Sequence, residues 1–300
     1  MTITHPKIPI RSMLFVPGNR TAWAPKALAA GADAIVFDLE DAVPEAEKPA
    51  AREAVAQYLQ HRETEPAFVR INALADRRAL DDLQAIVGPK LTGILVPKVE
   101  TPAEIALVER LLDWLESDAC MARGSVRIVP VFETALGIRQ AHEIATSPRV
   151  AYAGGLGVKG GDVERSLGYR WTAEGTETLF VRSAVLVDVR AAGVHNPMTG
   201  LWTDVNDLVG LRRFAEQSRG LGYEGMLAIH PSHIPIINDV FTPSDAELNW
   251  AEGLLQAMDT AAAAGSGTAS YQGHMVDEAM VTTARARLAR YRTNNPDVRR

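Results

Sequence analysis

The chain has 300 residues, 47% of them hydrophobic and 23% charged, a globular composition with enough length for a sizeable core. Its net charge of −6 argues against a nucleic-acid or anionic-membrane surface. One cysteine, Cys120, excludes an internal disulfide and reads as a buried or semi-exposed structural thiol, and without an apolar run of ~18 residues the default location is the cytoplasm.

Residues 1–10 read as a leader, and 11–16 as a short apolar strand stopped by the turn cluster Pro17-Gly18-Asn19. A helix over 23–30 ends at Gly31, and Ala34–Asp38 is the second strand. Its exit carries Asp38, Glu40 and Asp41, three acids within four residues. Crowded acids need cations or donors nearby, so the cluster either borders a site or is a solvated loop capping the helix Lys48–His61. The third strand, 68–71, contains Arg70 and exits at Asn72. An unpaired buried arginine is costly, so Arg70 meets an acid such as Asp38 or Asp41, or faces a ligand anion.

A helix over 76–87 leads to strand Gly93–Val96, closed by Pro97-Lys98, and a helix over 104–115 leads to strand Arg127–Phe132. Glu133 follows that strand, a helical pattern carries Ile138, Ala141 and Ile144, and 150–153 is strand six. A right-handed crossover makes the two strands parallel and brings their C-terminal ends to one side. Glu133 and Asp162, beyond those ends, can then share one hard divalent cation such as Mg²⁺, or each can simply favour the start of the next helix. The run Gly155 to Gly160 matches G-x-G-x-x-G, but the acids about 20 residues on, Glu174 and Glu177, fall in a helix, not at a strand end. A mobile loop, or amides around a carboxylate, is the better reading.

A helix over 174–192, an irregular stretch at 195–202 holding strand seven, a helix over 206–221 and strand eight at 225–229 complete the pattern. Eight strands alternating with helices predict a (β/α)8 TIM barrel over residues 1–240. Residues 241–300 read as a C-terminal helical extension: a helix over 244–264, a Gly265-Ser266-Gly267 link and a helix over 276–291. Too small to fold alone, it is expected to dock as a lid. The strand exits gather Asn19, Arg20, Asp38 to Asp41, Arg70, Asn72, Lys98, Glu133, Asp162 and His230, an anion-binding mouth without a serine–histidine or cysteine–histidine pair.

These residues carry a family resemblance. SMLFVPGN (12–19), GADAIVFDLEDAV (31–43), VRIN (69–72), VPKV (96–99), ETALG (133–137), LAIHPSH (227–233), FTPS (241–244) and GHMVD (273–277) resemble the citrate lyase β-subunit-like branch of the HpcH/HpaI aldolase superfamily. The resemblance spans about 11–285 and implies a trimeric or hexameric barrel that uses Mg²⁺ to make or break a carbon–carbon bond in an acyl-CoA. It implies Glu133 and Asp162 as metal ligands, Arg70 facing the reacting oxygens, Asn19 and Arg20 near the CoA, and Asp277 as the acid–base group, often from the adjacent protomer. Two departures stand out: eight positions separate Gly154 from Asp162 where the family has a short G-x-x-D, and Ala279 stands where a proline is usual.

Chains with the full tail look like malyl-CoA or citramalyl-CoA lyases and the related malate synthases. The expected reaction is Mg²⁺-dependent cleavage or formation of a 3-hydroxyacyl-CoA from acetyl-CoA and a 2-oxo acid. The alternatives are a CoA-independent 2-oxo-acid aldolase, a malate-synthase-like enzyme that hydrolyses the thioester, and a non-catalytic ligand-binding or scaffolding relative. From its position alone, Asp277 also suits the N-terminus of the last helix.

Overall fold

The structure is a computed structural model that describes residues 9–62, 65–156 and 159–294. It divides into two compact units, Met1–Phe241 and Thr242–Arg300. In the first, eight parallel strands close into a barrel in sequence order. They are β1 (Ser12–Pro17), β2 (Ala34–Asp38), β3 (Ala67–Arg70) and β4 (Gly93–Val96), then β5 (Arg127–Phe132), β6 (Tyr152–Gly155), β7 (Asn196–Thr199) and β8 (Gly225–Ala228). This is the (β/α)8 fold the element count predicts.

The barrel helices are α1 (Ala24–Ala29), α2 (Lys48–His61), α3 (Arg78–Ile86) and α4 (Pro102–Asp118), then α5 (Ala135–Arg139), α6 (Ala141–Ala145) and α7 (Asp162–Leu167). They are completed by α8 (Leu179–Ala191), α9 (Leu208–Leu221) and α10 (Ile234–Phe241). α4 starts sharply because Thr101 and Glu104 form a reciprocal capping box, with Pro102 at the first helical position.

Strand side chains alternate between lumen and helix layer, and this period of two decides where the charges go. Met13, Ala34, Val36, Phe68, Leu95, Val129, Val131, Tyr152, Met198 and Leu227 pack together as the barrel interior. Ile35, Phe37, Val69, Ile94, Val96 and Ile128 belong to the larger core under the helices. Continuing the inward parity past the apolar layers gives Asp38 on β2, Arg70 on β3 and Glu133 just beyond β5. The charged mouth is therefore the top layer of the same interior.

Several boundaries move. The single helix foreseen after β5 is two short ones, broken at Gln140 (φ −108°, ψ 19°). Strand six begins at Tyr152, because Val150 makes only an isolated bridge to Ile128 while Arg149 is held by Glu116 and Val126. Cys120 is exposed, on the turn that ends α4, at a left-handed φ of +55°. The leader residues 1–8, and Gly157 and Val158 of the glycine-rich run, lie outside the described residues.

The second unit holds α11 (Asp245–Ala263), a hairpin of β9 (Ala269–Tyr271) and β10 (His274–Val276), and α12 (Glu278–Asn294). Ser244 and Glu247 form a capping box on α11. Its core is Leu248, Ala251, Leu254, Val276, Val281, Ala284 and Leu288. The Gly265-Ser266-Gly267 link lies outside helix and strand as expected, and the hairpin follows it, with Tyr271 packed against Gly253, where any Cβ would meet its hydroxyl. No helix among the described residues is long and apolar enough to cross a membrane.

Candidate functional site

At the C-terminal face of the barrel, Asp38 and Arg70 come together first, because β2 and β3 pair with Asp38 opposite Arg70. Arg70 Nε donates to Asp38 Oδ1 at 2.8 Å and Nη2 to Oδ2 at 2.5 Å. This fork is the geometry an arginine makes and a lysine cannot. The backbone N–H groups of Glu40 and Ala42 donate to the same carboxylate, at 2.9 and 3.1 Å, so Asp38 also folds the turn after β2. Gly18 at the exit of β1 lies so close that a Cβ there would come within 2.9 Å of the Asp38 carbonyl oxygen.

The third Arg70 nitrogen, Nη1, stands 3.0 Å from Glu40 Oε2. That oxygen is buried and accepts no hydrogen bond, while its twin Oε1 accepts one from Lys98 Nζ at 2.6 Å. Lys98 reaches on to Asp41 Oδ2 at 3.4 Å and Asp162 Oδ2 at 3.6 Å. Its backbone sits at φ +53°, strain that points its N–H at Glu133 Oε2, 3.3 Å away. Asp162, at the start of α7, also pairs with Arg165.

The electrostatics follow from this crowding. Burial pushes the Glu133 carboxyl up to about 7; Arg70 opposes the shift, while Glu40 and Asp162 add to it. Glu40 is likewise raised by burial, against the pull of Arg70 and Lys98. Burial disfavours the Arg70 charge, but Asp38, Glu40 and Glu133 outweigh it and hold its pKa above the ordinary value. Lys98 is raised for the same reason, chiefly through Glu40.

Among the described residues no three His, Cys, Asp or Glu side chains converge as a ready-made metal cage. Mg²⁺ does not require one, since it is typically held by one or two carboxylates plus water and substrate oxygens. The mouth suits such an ion on two counts. Five carboxylates (Asp38, Glu40, Asp41, Glu133, Asp162) face three cations (Arg70, Lys98, Arg165), an excess of two acids over bases. The donors are all hard oxygens.

The remaining candidates distribute unevenly. Asn19 donates to Glu47 at 2.6 Å and keeps its buried Oδ1 without a partner, and Arg20 is exposed at the exit of β1. Asn72 does not line the mouth: it is buried, bonded to Lys48 and Asp82. His230 is exposed, with Nδ1 2.7 Å from Ser232 Oγ. Asp277 belongs to the second unit, where its Oδ1 accepts from the Met280 N–H at 3.0 Å at the start of α12. Glu40 and Lys98 carry more of the mouth than their places in the sequence suggested; the signal for Lys98 was a cation directly after a buried strand and a proline.

Comparison with known proteins supplies the family. Residues 11–231 match the model of the HpcH/HpaI aldolase/citrate lyase family. The chain is similar to the citrate lyase subunit beta-like protein of Deinococcus radiodurans, 37% identical, covering 93% of this chain and 96% of that one. It is also similar to a (3S)-malyl-CoA thioesterase of Cereibacter sphaeroides, 33% identical, covering 96% of each chain. Among solved structures it resembles the CitE protein of Mycobacterium tuberculosis in complex with magnesium, acetoacetate and coenzyme A. That match has a TM-score of 0.74 and 31% identity, and covers 95% of this chain and 99% of the other. The chain belongs to the HpcH/HpaI aldolase/citrate lyase family.

Proposed function

We propose that this protein is a Mg²⁺-dependent carbon–carbon lyase that cleaves or forms a 3-hydroxyacyl-CoA, such as malyl-CoA or citramalyl-CoA, from acetyl-CoA and a 2-oxo acid. The observation that carries this reading is the mouth itself: a forked arginine beside an over-charged set of carboxylates, one of them raised to about 7. The magnesium and coenzyme A bound by the M. tuberculosis relative support it.

In this reading Glu133 and Asp162 hold the ion, which supplies Lewis-acid polarisation of the 2-oxo acid. Arg70 is held by Asp38 through Nε and Nη2 and paired with Glu40 through Nη1, and its charge stabilises the oxygen that becomes negative as the acetyl-CoA enolate forms. Lys98 and Glu40 keep that guanidinium from rotating out of its place. Asn19 and Arg20 serve the CoA, and Asp277 exchanges the proton on the acetyl methyl carbon. The active form is a homotrimer or hexamer.

A second reading, in which the thioester is also hydrolysed, is favoured by the malyl-CoA thioesterase relative. One screen separates the two: acetyl-CoA and propionyl-CoA against glyoxylate, pyruvate and other 2-oxo acids, with Mg²⁺ or with EDTA, reading acyl-CoA products and free thiol. Condensation without thiol release supports the lyase; stoichiometric thiol release supports hydrolysis; full activity in EDTA overturns both. Asp277→Ala is expected to lose exchange of the acetyl-CoA methyl protons with solvent, and normal exchange reduces Asp277 to a helix cap.

A further inference from the structure

Lys48 stands where helix chemistry disfavours it. It is the first residue of α2, where the helix dipole is positive, and it is buried at 8% exposure. Its ammonium bonds three neutral oxygens: the Leu39 carbonyl at 3.2 Å, the Glu40 carbonyl at 3.0 Å and Asn72 Oδ1 at 2.5 Å. A charge taken out of water without a carboxylate partner is expensive, and a neutral or acidic residue would serve the helix better. Local violations of this kind cluster at functional sites.

The three bonds show what the violation accomplishes. Leu39 and Glu40 form the turn that leaves β2, and Asp38 grips the inner side of that turn through the Glu40 and Ala42 N–H groups. Lys48 holds the same turn through the Leu39 and Glu40 carbonyls. Asn72 is fixed in turn, because its N–H and side-chain amide both donate to Asp82, at 2.8 and 2.7 Å, and Asp82 accepts from Arg52 at 2.8 Å. The exits of β2 and β3 are thereby tied to one cation, and these are the strands that present Asp38 and Arg70.

We propose that Lys48 is a positioning residue of the mouth: through the Leu39 and Glu40 carbonyls and Asn72 it sets the place of the Glu40 carboxylate against Arg70. This rests on the reading of the mouth as the active site.

The test is a double-mutant cycle on the full chain with the substrate pair found in the screen. Lys48→Met is expected to lower kcat about ten- to hundredfold, the scale of a displacement of about 1 Å, with KM changed less than about threefold. Lys48→Met combined with Glu40→Gln is expected to lose little more kcat than Glu40→Gln alone, because residues in one network are not additive. Should Lys48→Met not fold, Lys48→Gln, which keeps a donor, enters the same cycle with the same expectation. Losses in kcat that multiply in the double variant, or a Lys48 variant that lowers Tm while leaving kcat at the wild-type value, overturn the proposal. Wild-type turnover by Glu40→Gln and Glu133→Gln instead overturns the reading of the mouth on which it rests.

Discussion

Two charged clusters sit at opposite ends of the barrel strands, built from the same residue types and finished differently. Beside the starts of β5 and β6, Arg149 Nη1 and Nη2 donate to Glu116 Oε1 and Oε2 at 2.8 and 2.7 Å, and Nη2 reaches Asp113 at 2.6 Å. The Val126 and Gly124 N–H groups donate to the two Glu116 oxygens, and Arg123 pairs with Asp113. Two acids face two arginines, and although burial alone would raise Glu116, these donors bring it below the usual carboxylate range. At the mouth, acids exceed cations, Glu40 Oε2 accepts nothing, and Glu133 is raised to about 7. A closed, neutral network holds structure; an open, negative one is ready for a ligand. Barrels place chemistry at the strand C-termini and stability at the other end.

The largest expected break is at the mouth. Glu133→Gln or Asp162→Asn is expected to abolish turnover while the metal-free protein melts at or above the wild-type temperature, since each removes surplus negative charge. Steady-state kinetics with melting curves in EDTA check both halves. A strongly lowered Tm would make these carboxylates structural and erase the contrast.

The opposite pattern is expected at the other end. Arg149→Met leaves the buried Glu116 without its cation, while Asp113 keeps Arg123, and the loss costs about 3–5 kcal/mol. Denaturant unfolding should record that loss, with kcat per folded molecule within about twofold of wild type.

Arg70→Lys sharpens the comparison by keeping charge and removing the fork. A loss of about 10²–10³ in kcat is expected, the scale of one oxyanion donor. Near wild-type kcat would mean that the Asp38 pair serves the fold alone.

The smallest effect is on pH, and the two ends have opposite signs. The folded pKa of Glu116 lies below its ordinary 4.5, so the stability it lends is complete above that value and is lost as pH falls through the folded pKa. Glu133 is raised from 4.5 to about 7, so without metal it costs stability as pH rises through that window. With allowance for solvent reaching the mouth, that cost is about 1–2 kcal/mol. Unfolding in EDTA should show a shallow fall from about pH 4.5 to about pH 7 that Glu133→Gln flattens. The loss below about pH 4.5 should shrink in Glu116→Gln.

Much of this molecule was legible in the sequence for local reasons. Lys48–His61, Gly93–Val96 and Arg127–Phe132 have the bounds their periodicity and turn residues predict. The inward parity of Asp38, Arg70 and Glu133 follows from a period of two, which any reader of the strands can count. The hairpin of the second unit was not readable, because each of its strands has three residues, too few to carry a periodic signal. Nor could Cys120 be placed, since its exposure depends on a left-handed turn after α4.

The sequence by itself determined the barrel, the order of its strands and the set of charges at their ends, because alternation and turn chemistry act over a few residues. Only the tertiary structure decided which charges meet. Asn72 looked like a mouth residue and instead anchors Lys48, while Lys98, 58 positions from Glu40, reaches its carboxylate. Such pairings depend on barrel closure and on side-chain reach across neighbouring strands, and separation along the chain carries no information about either.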